Sequence, residues 1–317
     1  MLLSSLPMHI PDGFLSVTVS ILLWIFSIIA VGYSLKRVSQ DLGDRQIPMM
    51  GVLAAAIFAG QMLNFTVAGG TSGHLMGAAI ATILLGPWAA ILILTSVVSI
   101  QALIFQDGGL LAMGANIFNM GVIGVSVAYM AYHTVKRFAG EKTWGIYLSG
   151  FVAAWLSIEV AALAVALQLA LSGTSPANIA IPSMGGIHAL IGIGEGLITV
   201  GALAFLANTR RDLLTMSEKR PIGGSLIWVI GMLLALSLAV ISPLASSHPD
   251  GLEWVAEQRG FLDQAQEPLY NIIPDYVFPG ISNQALATIV AGIVGTLIVF
   301  GVSLGVAYSR RRRQSAG

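Results

Sequence analysis

The sequence predicts an all-α polytopic membrane protein with about nine transmembrane helices, its N-terminus outside the cell and its C-terminus inside. Of its 317 residues, 56% are hydrophobic and only 9% are charged, and the mean hydropathy is +0.84. Soluble domains carry about 25% charged residues, so a soluble fold is excluded. The net charge is zero, which gives no reason to expect a nucleic-acid partner. The chain has no cysteine, and this excludes disulfides, thiolate metal sites and cysteine nucleophiles.

Seven stretches of the sequence are long and apolar enough to cross a membrane, which takes about 20 residues. They are 14–35, 49–68, 112–133, 145–171, 184–207, 223–243 and 284–307. The segment 74–105 is too long for one crossing and is interrupted by Gly86-Pro87. It is predicted to cross twice, with a turn at that pair. The first leg, 74–85, is short, so we expect protein rather than lipid to surround it.

The basic residues support two crossings in this segment, because Lys and Arg mark cytoplasmic loops. They form four clusters, at Lys36 to Arg45, Lys136 to Lys142, Arg210 to Arg220 and Arg310 to Arg313. Two crossings put all four clusters, 14 of the 15 Lys and Arg residues, on the cytoplasmic side and leave Arg259 outside. The prediction is therefore a multi-pass protein of the plasma membrane, in contact with lipid.

The same topology divides the chain into two units and a linker. Residues 8–208 form a core of seven spans, 209–222 a charged cytoplasmic linker, and 223–317 a two-span accessory unit. The outer loop of that unit, 245–283, is expected to be partly helical at 250–266. The chain contains no G-x-x-x-x-G-K-[ST] phosphate loop, so we expect neither ATP hydrolysis nor another enzymatic activity from it.

The residues just before the first span predict a metal chelate. The leading MLLSSLP has no positive charge and is too short for a cleavable signal, so the sequence favours a chain that begins at Met8. Its free amine, the backbone nitrogen of His9 and the His9 imidazole then close two rings around one metal ion. Three nitrogens lie nearly in a plane, which suits Ni(II) or Cu(II) and less often Co(II).

His74 is the candidate for the fourth nitrogen. It follows a glycine-rich run, 69–73, on the same outer side as His9, and it is expected to open a short outer helix. Asn116 and Asn119 are three residues apart and share one helix face. A histidine ligand usually donates its other ring N–H to a neighbouring acceptor, and either amide could accept it from His9 or His74. The alternative for both amides is helix–helix packing.

Four segments together resemble a known family. They are MHIPDGFLS, TSGHLMG, QALIFQDGGLLAMGANIFNMG and HALIGIGEGLIT. Each is similar to a stretch of the substrate-binding subunit of group I energy-coupling-factor transporters for nickel and cobalt, and the resemblance covers about residues 8–210. The remainder, with the motif Pro249-Asp250-Gly251-Leu252-Glu253, is similar to the small accessory subunit of such systems. The two subunits look fused here.

The resemblance implies that Ni(II) or Co(II) is the transported substrate, held by nitrogens of Met8, His9 and His74. It also implies a transmembrane coupling subunit and two ATP-binding subunits as partners. In the family a stripe of small residues docks the subunit onto the coupling partner. Gly51, Ala55 and Ala59 match that stripe, with internal packing as the other interpretation.

Other interpretations stay open from the residues alone. The planar nitrogen set favours Ni(II), and the alternative is a cobalt importer subunit that serves cobalamin synthesis. A membrane enzyme would use Glu159, His188 and Glu195, although these residues lack a catalytic spacing such as H-E-x-x-H. A metal sensor without transport is the third possibility.

Overall fold

The computed structural model describes residues 8–41, 46–140, 142–209 and 226–314. The helices and strands in these ranges are α1 (Val17–Asp41), α2 (Gln46–Gln61), β1 (Phe65–Val67), β2 (Thr71–Gly73), α3 (Ala78–Ile100), α4 (Met113–Asn116), α5 (Val125–Ala139), α6 (Thr143–Ser172), α7 (Ala177–Thr209), α8 (Leu226–Ile241), α9 (Gly251–Arg259) and α10 (Gln284–Gln314). A π-helical turn, Gln101–Phe105, extends α3, and a second, Ile117–Gly124, joins α4 to α5. Short 3₁₀ turns occupy Ser242–Leu244, Leu262–Gln264 and Pro274–Tyr276.

The described chain is mostly helical, which agrees with the predicted helical membrane architecture. In the described ranges, six helical segments have the length and apolar composition needed to cross a membrane, and α2 and 228–244 are shorter apolar helices. α1 carries large apolar side chains on its outer face, where Ile28 and Ile29 are 62% and 63% exposed. This exposure is typical of a lipid-facing surface, since the hydrocarbon core provides the apolar environment that water does not.

The chain reverses direction within α3. Gly86 breaks the helical backbone with φ 78° and ψ 169°. The Gln61 side chain donates to the Met76 carbonyl oxygen at 3.0 Å and accepts from the Gln101 side chain at 2.8 Å. A straight helix would separate residues 76 and 101 by about 37 Å. Because one side chain contacts both, the chain doubles back at Gly86-Pro87, the turn that the sequence predicts.

The first leg of this hairpin, 78–85, is surrounded by protein. Of its eight residues, Ile83 alone is partly exposed and the other seven are buried. An eight-residue helix is only about 12 Å long, so it cannot span a bilayer facing lipid. The expectation that protein surrounds this leg is met.

The small-residue stripe of α2 is not a free docking surface in this chain. Ala55 and Ala59 are 0% exposed, and a Cβ at Gly51 would lie 3.0 Å from the Phe300 ring of α10. On another face of α2, Gly231 of α8 fits against Val52. The contacts of α2 with the two helices of the accessory unit match the internal-packing interpretation of Gly51, Ala55 and Ala59, and partner docking there stays a prediction.

A small β-hairpin interrupts the otherwise helical fold, which the sequence does not predict. β1 and β2 pair antiparallel with Phe65 opposite Gly73. Gly69 and Gly70 adopt φ of +86° and +79° in the turn, a conformation that glycine reaches without steric cost. The glycine-rich run is thus an ordered hairpin, and His74 follows β2 in an extended segment rather than opening a helix.

Candidate metal centre

The segment 8–14 folds back onto the protein before α1 begins. The Ile10 N–H donates to Asn116 Oδ1 at 3.1 Å, and Asn116 Nδ2 donates to the Ile10 carbonyl oxygen at 3.1 Å. The Gly109 N–H also donates to that carbonyl at 2.9 Å. The side chain of Asn116 thus completes a β-like pairing and holds the backbone on either side of Ile10.

Asp12 provides a second anchor for this segment. Its carboxylate accepts from the N–H groups of Leu110 and Ala112 at 3.0 and 2.9 Å. Its carbonyl oxygen accepts from the Gln266 N–H at 2.8 Å, so the accessory unit also contacts the segment. These bonds fix the entry of the chain into α1 and hold His9 inside the protein, where it is 4% exposed.

His9 lies against the carboxylate of Asp107. The His9 N–H donates to Asp107 Oδ1 at 3.2 Å, and His9 Nδ1 is 2.9 Å from the same oxygen. The second contact is a charge contact that lies off the hydrogen-bonding axis of the ring, since neither ring nitrogen of His9 has a hydrogen-bond partner with good geometry in the described chain. The backbone nitrogen and Nδ1 therefore point to one side of His9.

The His74 ring lies beside the His9 ring. The two ring centroids are 5.6 Å apart with the planes tilted by 48°. Both rings and Met8 line a cavity of about 90 Å³, with Asn116 and Asn119 also in its wall. His74 Nδ1 lies 3.2 Å from the Leu75 carbonyl oxygen, which leaves Nε2 as the ring nitrogen without that contact. The structure thus brings together the three residues that the sequence predicts as metal ligands.

The two predicted asparagines contribute differently from what the sequence suggests. Asn116 binds the backbone of Ile10, and Asn119 forms a reciprocal amide pair with Gln168 of α6 at 2.8 and 2.6 Å. Both amides are engaged in these bonds, so neither orients a histidine ring. Asn119 follows the helix-packing alternative, whereas Asn116 positions the chelating segment through its main chain.

The accessory unit forms one wall of the cavity. Pro249 accepts from the Ser72 N–H of β2 at 2.8 Å, and Asp250 and Gly251 line the cavity. A Cβ at Gly251 would lie 3.0 Å from His188 Nε2, so only glycine fits there without displacing that ring. The Asp250 carboxylate accepts from the Glu253 N–H at 2.7 Å and caps α9, which begins one residue later than predicted and ends at Arg259.

The intramembrane carboxylate Glu195 has a structural role. Its two oxygens accept from the N–H groups of Met76 and Gly77 at 2.8 and 3.0 Å. These are the donors just ahead of α3, so Glu195 caps the extended segment that carries His74. His188 Nδ1 lies 2.8 Å from the Met184 carbonyl oxygen one turn earlier in α7. The bonds of these two residues match the structural alternative rather than an enzyme site.

Electrostatics favour a metal-binding state of His74. Burial, and after it the charge of His9, lower the pKa of His74 to about 4, so this ring is neutral at physiological pH. Burial also lowers the pKa of His9, but the Asp107 carboxylate more than offsets this, and the pKa is raised. Burial opposes ionisation of Asp107, yet His9 holds its pKa below the usual range. Burial raises the pKa of Asp250 to about 8.

The described residues contain no group of three or more His, Asp or Glu side chains arranged to hold a metal ion. The chelate predicted from the sequence uses two imidazoles and takes its other donors from backbone and terminal nitrogens. It therefore does not require such a group. Residues 1–7 and most of the predicted linker 209–222 lie outside the described residues.

Comparison with known proteins identifies the family. Residues 9–213 match the model of the "Cobalt uptake substrate-specific transmembrane region", and residues 225–312 match the PDGLE domain. The chain belongs to this cobalt-uptake family. The resemblance stated from the sequence motifs is confirmed, and the chain is a multi-pass membrane protein of a metal-transport family rather than an enzyme family.

Two relatives named as fused proteins align with most of this chain, and a third aligns with a smaller part of it. A putative fused nickel transport protein, NikMN, of Archaeoglobus fulgidus is 38% identical over 310 residues, 96% of this chain and 99% of the relative. A probable fused nickel transport protein, LarMN, of Lactiplantibacillus plantarum is 32% identical over 88% of this chain and 87% of its own. The cobalt transport protein CbiM of Sorangium cellulosum is 34% identical over 60% of this chain and 84% of its own.

Two solved structures share the fold. One is a truncated transition metal transporter that is 33% identical, with a TM-score of 0.57. The alignment covers 63% of this chain and 99% of the chain of the solved structure. The other is a transition metal transporter, 32% identical with a TM-score of 0.58, which covers 67% of this chain and 98% of that one. The membrane fold of the family therefore extends to this chain.

Proposed function

We propose that this protein is the substrate-capture subunit of an ATP-driven energy-coupling-factor importer for Ni(II). The ion is held by four nitrogens: the amine of Met8 in a chain that begins there, the amide and imidazole of His9, and the imidazole of His74. The observation that carries the proposal is the convergence of His9 and His74 on one buried cavity that Met8 also lines.

The ring geometry is close to that of a metal-bound pair. Two imidazoles on adjacent corners of a square, each about 2.0 Å from the metal, have centroids roughly 4.5 Å apart. The observed 5.6 Å requires an approach of about 1 Å, which one rotamer adjustment of His74 supplies. The two rings are therefore close to a metal-bound arrangement, which a small movement of His74 would complete.

The proposed topology places this cavity on the outer side. Nine crossings, with the reversal at Gly86 counted as two, put the N-terminus outside and the C-terminus inside. His9, His74 and the motif 249–253 then meet at the outer face, where metal arrives from the environment. The predicted partners, a coupling subunit in the membrane and two ATP-binding subunits, would drive release to the cytoplasmic side.

We further propose an approach route for the metal. A second cavity, of about 560 Å³, lies between the core and the accessory unit and is lined by Met8 and Asp107. Its wall contains the carboxyl groups of Glu253, Glu257 and Asp275. Because Met8 borders both cavities, a dication drawn by these carboxyl groups reaches the chelating end directly.

The accessory unit acts as a gate in this scheme. The bonds from Pro249 to Ser72 and the close fit of Gly251 on His188 close one wall of the site. Separation of α9 from β2 would open it. The PDGLE motif thus connects movement of the accessory unit to access of the metal.

The test uses the purified chain beginning at Met8. We expect one Ni(II) per chain in the wild type and loss of the metal in His9→Ala and His74→Ala, with His133→Ala as a control far along α5. Stoichiometric nickel in either of the first two variants would refute the site.

Cobalt is the second candidate substrate, because the matching family model is described by cobalt uptake. Competition between Ni(II), Co(II) and Cu(II) for the same chain ranks the metals. Uptake of radioactive metal by cells that depends on this chain and on coupling ATPases separates a transporter from a sensor.

A further inference from the structure

We propose that Asp107 is a positioning residue for the metal chelate and that Tyr276 of the accessory unit controls it. The inference rests on the proposed function and adds two residues that the ligand set does not include. The starting point is a single oxygen atom, Asp107 Oδ1, that contacts both His9 nitrogens of the proposed chelate, the backbone N at 3.2 Å and Nδ1 at 2.9 Å.

These two contacts select the conformer of His9 that binds metal. A six-membered chelate ring requires the backbone nitrogen and Nδ1 of one histidine to face the same point. The carboxylate holds them in that arrangement in the absence of metal. The amide N–H of His9 points at Oδ1, and a metal bound to the deprotonated amide would take the place of that proton. The carboxylate therefore has to shift outward when the ion enters, and it then lies beside the ion.

The charge of the complex gives Asp107 a second effect. A dication bound to one deprotonated amide nitrogen and three neutral nitrogens has a net charge of +1. Asp107 is 3% exposed and His9 is 4% exposed, and burial of an uncompensated charge is costly. The negative carboxylate brings the buried assembly to zero net charge, so it stabilises the metal-bound state.

Tyr276 fixes the carboxylate from the accessory unit. Its hydroxyl donates to Asp107 Oδ2 at 2.5 Å and accepts from Gln101 Nε2 at 3.1 Å. The ring stacks on Phe105, with centroids 4.8 Å apart and an interplanar angle of 18°. The tyrosine is thus held by the end of α3 on two sides, and its hydroxyl leaves Oδ1 as the oxygen that faces His9.

These contacts couple the outer loop of the accessory unit to His9 through Asp107. The segment 274–276 belongs to the outer loop of the accessory unit, and the carboxylate is its link to His9. A displacement of that loop removes the donor to Oδ2, frees the carboxylate to rotate and loosens the chelating conformer. The accessory unit thereby sets metal affinity without contributing a ligand.

The experiment compares Asp107→Asn, Tyr276→Phe and the double variant in the full chain beginning at Met8. Ni(II) affinity is measured by competition with a chromogenic chelator. Tyr270→Phe is the matched control, because it removes a hydroxyl that donates to Leu103 at 3.0 Å in the same outer loop without touching Asp107. Asp107→Glu restores the charge on a longer side chain.

We expect Asp107→Asn to weaken Ni(II) affinity about 10- to 100-fold, as for other residues that orient metal ligands. Tyr276→Phe should weaken it about 3- to 10-fold, and Tyr270→Phe by less than about twofold. The double variant should match Asp107→Asn, because Tyr276 acts through Asp107. Asp107→Glu should recover part of the loss. At saturating nickel the ligand-field spectrum of Asp107→Asn should equal that of the wild type, since the four ligands are unchanged.

Three results would overturn the inference while leaving the proposed function standing. They are wild-type affinity in Asp107→Asn, a further loss from Tyr276→Phe in the Asp107→Asn background, or a changed nickel spectrum in Asp107→Asn. Where Asp107→Asn does not fold, Tyr276→Phe against Tyr270→Phe decides alone. A wild-type chain without nickel affinity would remove the proposed function, and this inference with it.

Discussion

Replacement of Asn116 by alanine tests whether the docked N-terminal segment is required for metal capture. The change deletes the acceptor of the Ile10 N–H and one of two donors to its carbonyl oxygen. The carbonyl keeps the Gly109 N–H, so the main cost is one buried N–H without a partner. That cost is about 1–3 kcal/mol, and 2 kcal/mol corresponds to about a 30-fold change in an equilibrium constant.

Only the docked segment presents His9 to His74, so the observed dissociation constant scales inversely with the docked fraction. We expect Asn116→Ala to weaken Ni(II) affinity at least threefold and at most about 150-fold, the factor that corresponds to 3 kcal/mol. The loss is smaller where the docked form still predominates. The assay is chelator competition on the chain beginning at Met8, with the thermal stability of the metal-free protein measured in parallel.

Asn119→Ala is the control for this experiment. It makes the same chemical change one helical turn away in the wall of the same cavity, and it breaks the pair with Gln168 instead of the bonds to Ile10. It should lower stability because the buried Gln168 amide loses its partner, while nickel affinity stays within about threefold of wild type. Equal losses of affinity in the two variants, or normal affinity in Asn116→Ala, would refute the role given to the docked segment.

Three further predictions concern protons, backbone and topology. The pKa of His9 is raised and the metal needs that ring neutral, so Ni(II) affinity should rise with pH and be lost as pH falls. His74, with a pKa of about 4, does not limit binding. Calorimetry in buffers of different ionisation enthalpy should show about two to three protons released per Ni(II) at pH 7. Gly108→Ala should weaken nickel binding at least tenfold, because φ is +99° and the new Cβ would lie 2.9 Å from His9 Cβ. Gly173→Ala is the control, because it carries similar backbone strain at φ +77° but has open space around the new Cβ. Normal nickel affinity in Gly108→Ala would contradict the close packing of Gly108 against His9. The chain has no cysteine, so single cysteines can report the topology. A cysteine at Ser247 should react with an impermeant maleimide on intact cells, and a cysteine at Phe138 should react only after the cells are permeabilised. The reverse pattern would exclude the proposed orientation.

The membrane architecture could be predicted from the sequence, because hydropathy identifies the apolar spans and the distribution of Lys and Arg limits the topologies that connect them. The reversal at Gly86 follows from the distribution of Lys and Arg, which requires an even number of crossings between the first two basic clusters. The structure shows the same reversal through the bonds of Gln61 to residues 76 and 101. A long apolar segment with a Gly-Pro pair at its centre does not by itself distinguish a kink from a turn, and charge provided that distinction.

The meeting of His9 and His74 was also predictable, since the predicted topology places both on the outer side near unusual backbone sequences. Asp107 was not singled out, although it stands in a quoted motif. Its contact with His9 joins residues 98 positions apart, and a lone carboxylate in a loop has no periodic pattern that would indicate a partner. A cation-binding site in a membrane protein needs a counter-charge, but Asp12 lies closer to His9 in the sequence than Asp107 does, so that rule alone does not select Asp107.

The stripe on α2 shows the limit of composition in a fused chain. Spacing of small residues predicts that another helix approaches closely, and the prediction of close approach is correct for Gly51. It does not specify which helix approaches. Phe300 of α10 packs against Gly51. This helix lies nearly 250 residues later in the same chain, and the stripe alone cannot distinguish it from a helix of a separate partner.

The contacts of the accessory unit explain why its outer loop and the metal site form one assembly. Gln266 binds Asp12 of the chelating segment, Pro249 binds Ser72 beside His74, and Tyr276 binds Asp107. Each contact reaches a different support of the proposed site: the segment that carries His9, the strand that precedes His74, and the carboxylate that orients His9. Because the three contacts come from one loop, its displacement would loosen all three supports together. In the proposed scheme, capture and release of the metal would then depend on the position of that loop.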